Sequence, residues 1–309
     1  MIRFAPVIAV GWLATVLAAC SLTGAPRSGD SPREPVDIAI ITILEQEYAA
    51  VLRKLDYQEP ARGSRTEPDP YDWVVGTVRA HAKEKSYKVV VARTGEKGEV
   101  AGALATSEPV ERWRPRHVLV VGIAGGIPGS VSLGDAVLAT AIWSYEVGHL
   151  GVRFKPDAEP SFTPDDELLR AARGVDSDWP RGIQVAPPAA GAAPELVEGR
   201  VASGNMVIET SSSEFFADIS RAKPDIIAVE MEGAGAAAAI REANELGDEV
   251  GFLMIRAISD LVQPAGDGAG DPVTTVRNPQ RDLWKDYAAD VAATFAVEII
   301  RSSWPTPPR

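Results

Sequence analysis

Four short apolar runs in this 309-residue chain end in residues able to do polar chemistry. Asp225-Ile226-Ile227-Ala228-Val229 leads into Glu230-Met231-Glu232-Gly233, and Ile38-Ala39-Ile40-Ile41-Thr42-Ile43-Leu44 leads into Glu45-Gln46-Glu47. Residues 251–258, which include Arg256, lead into Ser259-Asp260. Val118-Leu119-Val120-Val121 leads into Gly122-Ile123-Ala124-Gly125-Gly126. Carboxyl groups act as general acids or bases, and an ionised carboxylate accepts from two hydroxyls at once. Glycines such as Gly122, Gly125 and Gly126 let a ligand come close to the backbone. Acids buried without a partner are costly, so their recurrence at strand ends points to a shared purpose.

Each run is short and nearly continuous, the pattern of strands covered on both faces. Between them lie stretches with helical spacing: Tyr48, Val51, Leu52 and Leu55, then 99–113, then the small-residue segment 233–240. The alternation predicts a three-layer α/β/α domain around a central mixed sheet, with a pocket along one rim at the strands' carboxyl ends. Strands are also expected at 73–78, 87–92 and 135–141, with loops over 58–72, 187–194 and 263–280. A last helix is expected over 282–300, with Trp284, Tyr287, Val291, Phe295 and Ile299 on its apolar face.

Taken in order, these pieces resemble the purine nucleoside phosphorylase superfamily, and within it the methylthioadenosine/S-adenosylhomocysteine nucleosidase branch. The resemblance rests on residues 40–47, the 122–126 glycine turn, Leu133-Gly134-Asp135, Ala202-Ser203-Gly204-Asn205, residues 229–233 and residues 255–260. It implies hydrolysis of a purine N-glycosidic bond through an oxocarbenium-like state. By resemblance Asp260 protonates the purine and Ser259 orients it. Glu232 takes the ribose hydroxyls, Met231 packs on the sugar, and Glu47 positions water. Met206, Val207 and Ile208 face the base, Gly125 lines the pocket, and Arg256 and Glu230 support the acids. Two positions depart from the family: Ile123 where a serine is common, and Asn205 where an aspartate is common. The alternatives are a phosphate-dependent nucleoside phosphorylase and a lipoprotein that binds nucleosides without cleaving them. The family generally forms dimers or larger oligomers, which implies a homodimer.

Composition excludes several classes. The net charge is -12, and no basic stripe offers a nucleic-acid backbone a footing. The glycine segment lacks the Lys-Ser or Lys-Thr of a phosphate loop and the spacing of a dinucleotide site. His81, His117 and His149 have no neighbouring ligand at metal spacing, so neither a metal nor another cofactor is expected. Arg3 precedes the apolar run 4–19, and Leu17-Ala18-Ala19-Cys20 resembles a bacterial lipobox. The expected organisation is a lipoprotein signal peptide over 1–19, lipidated Cys20 opening a flexible tether over 20–35, the domain over 36–304 and a tail over 305–309. That places the domain in the bacterial cell envelope, outside the cytoplasm, held to a membrane by its lipid.

Overall fold

The computed structural model describes residues 34–60, 71–82, 84–190, 193–208, 211–262 and 278–309. The signal peptide, Cys20 and most of the tether lie outside the described residues, as do parts of the loops expected over 58–72, 187–194 and 263–280.

The chain opens with β1 (Ile38–Thr42), α1 (Glu45–Lys54), β2 (Tyr57–Pro60), β3 (Asp72–Arg79) and β4 (Ser86–Arg93). It continues through α2 (Glu99–Trp113), β5 (His117–Gly126) and β6 (Ala136–Ser144). A small excursion holds β7 (Gly148–Leu150), β8 (Phe154–Pro156), β9 (Ser161–Phe162), α3 (Asp166–Arg173) and a 3-10 turn (Trp179–Gly182). The last part carries β10 (Leu196–Ser203), α4 (Glu214–Ala222), β11 (Ile226–Glu230), α5 (Gly233–Glu245), β12 (Gly251–Leu261) and α6 (Pro279–Ser303).

Among the described residues, ten strands form one mixed sheet in the order β11-β10-β6-β12-β5-β1-β4-β3-β2, with β9 alongside β6. The central pairs β4–β1, β1–β5 and β5–β12 are parallel, so their carboxyl ends share a rim. The sheet then closes on itself. The glycine end of β5 pairs antiparallel with β11, placing Gly125 opposite Val229 and Gly126 opposite Ala228. Strands β5, β12, β6, β10 and β11 therefore form a ring, and the acid-bearing end of β11 meets the rim from across it.

Side chains of β1 alternate between two cores. Ile38 and Ile40 pack under α1, α3 and α6 with Tyr48, Leu168, Trp284 and Phe295. Ala39 and Ile41 pack on the other face with Ala105 and Val110 of α2 and Ala236 and Ile240 of α5. This alternation gives the three layers, each fully buried aliphatic side chain contributing about 1.5–3 kcal/mol. The α6 layer is also pinned by Asp290, whose side chain is buried against Lys54 Nζ at 2.9 Å and accepts from the Val185 amide at 3.0 Å.

Three expectations need correction. Residues 122–126 continue β5 rather than turn, because pairing to β11 and β12 satisfies their backbone groups. Ser259 and Asp260 lie within β12 rather than after it, at a register shift that sets Asp260 opposite Gly125. The start of the loop expected over 58–72 instead belongs to an exposed edge strand, Tyr57–Pro60, paired with β3. Among the described residues, no helix is long and apolar enough to cross a membrane.

Candidate active site

The rim carries a cleft of about 670 Å³, open to solvent at its mouth. Every pocket residue inferred from the sequence except Arg256 lines it: Glu47, Gly125, Met206, Val207, Ile208, Glu230, Met231, Glu232, Ser259 and Asp260. Ile43, Leu44, Lys97, Ile123 and Arg281 complete much of the wall. Arg256 sits behind it, 1% exposed.

Glu47 is set by the start of α1. At the third helical position its carboxylate reaches back to the free amides ahead of the first turn. Oε2 accepts from the amides of Ile43 at 2.9 Å and Leu44 at 2.8 Å. Oε1 crosses to β5 and accepts from the Ile123 amide at 2.9 Å. Gly122 makes that crossing possible: a Cβ there would come within 2.6 Å of Glu47 Oε1. A carboxylate has about four acceptor positions, so three amides leave one for a water. Burial raises the Glu47 pKa above the usual carboxylate range, opposed by the Arg256 charge and the three amides. The structure also separates the two neighbouring acids. Glu45 points outward to Arg93 at 3.2 Å.

Glu230 and Glu232 divide labour at the start of α5. Glu230 accepts from the amides of Glu232 at 3.0 Å and Gly233 at 2.9 Å. Ser203 Oγ accepts from the Ala234 amide at 3.0 Å. With the helix end satisfied by these two, the Glu232 carboxylate is free to face the cleft. It accepts from the Gly98 amide at 3.1 Å, and Arg256 Nη2 lies 3.4 Å away. Arg256 also forms a short contact with Glu230. One guanidinium thus serves three buried carboxylates: Glu47, Glu230 and Glu232. The imbalance falls on Glu232. Burial pushes its pKa up to about 7; Arg256 opposes this, and the nearby charges of Glu230 and Glu47 add to it.

Small residues bring the Gly98 amide into place. A Cβ on Gly102 would meet the Glu232 carbonyl oxygen at 2.5 Å, so only glycine lets α2 lie this close to α5. Gly98 itself has φ +103°, in the region that disfavours a side chain.

Asp260 occupies the other end of the cleft. Ser259 Oγ donates to its Oδ1 at 2.6 Å, Arg281 Nε donates to Oδ1 at 3.3 Å and Asn278 Nδ2 donates to Oδ2 at 2.8 Å. Gly125 leaves open floor between Val229 and Asp260. Any ligand reaching Asp260 must compete with Asn278 and Arg281 for the carboxylate.

Sequence reasoning missed the charged residues Arg281 and Lys97 on the cleft wall and Asn278, which holds Asp260. Asn278-Pro279 carried a usable signal, since asparagine before proline is a helix-start pattern. The helix does begin there, three residues before the expected Asp282. Arg281 and Lys97 carried no such mark.

The two departures resolve differently. Ile123 acts through its amide and lines the cleft with its side chain. Asn205 bridges outside the cleft wall: its Oδ1 accepts from the Glu99 amide at 3.0 Å and its Nδ2 donates to Glu146 at 2.8 Å. An aspartate there would face Glu146 with like charge. Trp143 and Tyr145 are core residues, and Tyr145 holds the segment after β10 by donating to the Met206 carbonyl at 2.9 Å. None of the histidines lines the cleft, and no cluster of His, Cys, Asp or Glu among the described residues is arranged to hold a metal.

Comparison with known proteins agrees with this geometry. The chain is 30% identical over 185 residues to a 5'-methylthioadenosine/S-adenosylhomocysteine nucleosidase of Colwellia psychrerythraea, covering 56% of this chain and 67% of that one. It is 26% identical over 267 residues to the nucleosidase of the same name from Bacillus thuringiensis, covering 85% of this chain and 97% of that one. The fold matches the crystal structure of the Neisseria meningitidis nucleosidase in complex with methylthio-immucillin-A. That match has a TM-score of 0.63 at 24% identity, over 86% of this chain and 98% of that one. The model of the phosphorylase superfamily matches residues 37–300. With its rim acids, ring-closed sheet and near full-length match, the chain belongs to the phosphorylase superfamily.

Proposed function

We propose that the protein is a purine nucleosidase that hydrolyses the N-glycosidic bond, with methylthioadenosine and S-adenosylhomocysteine as the first substrates to test. One observation carries the choice of water over phosphate: Glu47 accepts from the Ile123 amide, on the glycine segment where an anion would seek donors. A phosphate there would meet a carboxylate instead, with Glu232 and Glu230 close behind.

In this reading Asp260 gives its proton to a ring nitrogen of the purine as the glycosidic bond breaks. Glu232 accepts from the ribose hydroxyls while Met231 packs on the sugar. Glu47 uses its remaining acceptor position to orient the attacking water, and its charge favours the developing oxocarbenium ion. Arg256 holds Glu230 and Glu232 in register. The deciding experiment is incubation with a panel of purine nucleosides, with and without phosphate. Free base and free sugar, formed at a phosphate-independent rate, are expected; strict phosphate dependence with a sugar 1-phosphate product makes it a phosphorylase. Binding with no turnover of any nucleoside makes it a binding lipoprotein.

The lipobox supports a protein acylated at Cys20 and held to a membrane in the cell envelope. Mass spectrometry of the mature N-terminus tests this, and an unprocessed Met1 or an unmodified Cys20 rejects it. The family's habit supports a homodimer, which light scattering on the untethered domain tests.

A further inference from the structure

Six charged side chains line the cleft, Glu47, Glu230, Glu232, Asp260, Arg281 and Lys97, and a third cation, Arg256, lies buried behind them. Two of the three cations are committed. Arg256 is shared by Glu230 and Glu232, and Arg281 pairs with Asp260. Lys97 is exposed, lines the cleft and has no carboxylate or hydrogen-bond partner among the described residues.

Its place in the fold says which part of a nucleoside it would meet. Along the rim the strands run β12, β5, β1, β4. Asp260 sits on the first, Ile123 and Gly125 on the second, Glu47 just past the third and Lys97 past the fourth. The acid that serves the base and the unpaired lysine are therefore at opposite ends. Lys97 also directly precedes Gly98, whose amide holds Glu232, the ribose acceptor. With the base at Asp260 and the ribose at Glu232, the group left to point towards β4 is the 5′ substituent.

We infer that Lys97 takes a carboxylate carried on the 5′ arm of the nucleoside, an inference that rests on the nucleosidase reading above. A flexible, exposed ammonium at a cleft mouth suits a charge held at the end of an arm. A phosphate directly on the 5′ carbon would lie against Glu232 and Glu47 instead, so the favoured anion is the distal carboxylate.

The test uses the full chain and two adenosine 5′-thioethers that differ only in a terminal propionate or propionamide. Wild type favours the acid in kcat/KM by roughly fivefold, the scale of a solvent-exposed charge pair, and the preference shrinks as salt is raised. Lys97→Met brings the acid-to-amide ratio to about one, and Lys97→Arg retains it. A merely structural effect would lower both substrates together and leave the ratio. Equal kcat/KM in wild type, an unchanged ratio in Lys97→Met, or faster cleavage of adenosine 5′-monophosphate than of the propionate overturns the inference. If neither thioether is cleaved, the nucleosidase reading fails. Calorimetric affinities of the same two compounds for wild type and Lys97→Met then decide the role of Lys97 alone. Equal affinities, or no binding, reject it.

Discussion

Asn278 ties the end of a helix to the candidate acid: its Oδ1 accepts from the amides of Gln280 at 3.1 Å and Arg281 at 3.2 Å, while its Nδ2 donates to Asp260 Oδ2 at 2.8 Å. The cap that starts α6 thus also fixes the rotamer of Asp260. Asn278→Ala removes both functions. It should cost about 1 kcal/mol of stability, as lost caps do, and lower kcat as well. Ser213, which caps α4 by accepting from the Phe216 amide at 3.1 Å, provides the control. Ser213→Ala should show a similar loss in a thermal melt with kcat little changed. Equal kcat in the two variants would reject the positioning role.

Asp260 itself should carry a larger effect. Asp260→Asn keeps the shape and the acceptor oxygen but has no proton to give. Turnover should fall by about 10²–10⁴-fold, the usual contribution of a general acid. Nucleoside affinity, measured by calorimetry, should change far less. Full activity in this variant would remove Asp260 from the mechanism and leave the class of reaction standing.

The rim acids were legible in the sequence because each comes at or just past the end of an unmistakable apolar run. Glu47, Glu232 and Asp260 are separated by up to 213 positions, yet all three line one cleft. The limit was set by contacts that depend on closure of the sheet. Residues 122–126 read as a turn because glycines without side chains give no strand signal, and their partner in β11 lies far away in sequence. Arg281 and Lys97 carry no mark in the sequence, since a charge on a loop or first helical turn is ordinary. Only the fold shows that one is paired with Asp260 and the other is not. Gly102 is a similar case: nothing in a helix's sequence says that its one glycine faces the backbone of Glu232.

Glu47 should prove structural as well as catalytic. Three amides point at its two oxygens, and glutamine has one oxygen to offer. In Glu47→Gln the new NH2 group must face an amide N–H, which costs on the order of 1–3 kcal/mol. Hydrolysis should be lost together with some thermal stability. Glu45→Gln, two residues earlier, disturbs only an exposed pairing with Arg93 and should alter neither. Matching losses in the two variants would overturn the assignment of the water-positioning acid.

The pH dependence of Glu232 should run in opposite directions for stability and for substrate binding. Its ordinary pKa is 4.5; burial, with the charges of Glu230 and Glu47 adding to it against Arg256, pushes it up to about 7. Between those values the folded protein keeps a proton that the unfolded chain has released. The native state is therefore favoured most below about 4.5, and this contribution is lost as pH rises through about 7. Its size is about 3 kcal/mol. Glu232→Gln cannot ionise, so the wild-type melting temperature measured against that variant should fall from pH 5 to pH 8. Ribose binding needs the opposite state. Only the ionised carboxylate accepts from both neighbouring hydroxyls, so KM for a nucleoside should drop as pH rises through about 7. Glu232→Gln should bind more weakly and lose that pH dependence. A KM that is flat across this range in wild type, or that rises with pH, would show that Glu232 does not meet the sugar as an ionised acceptor.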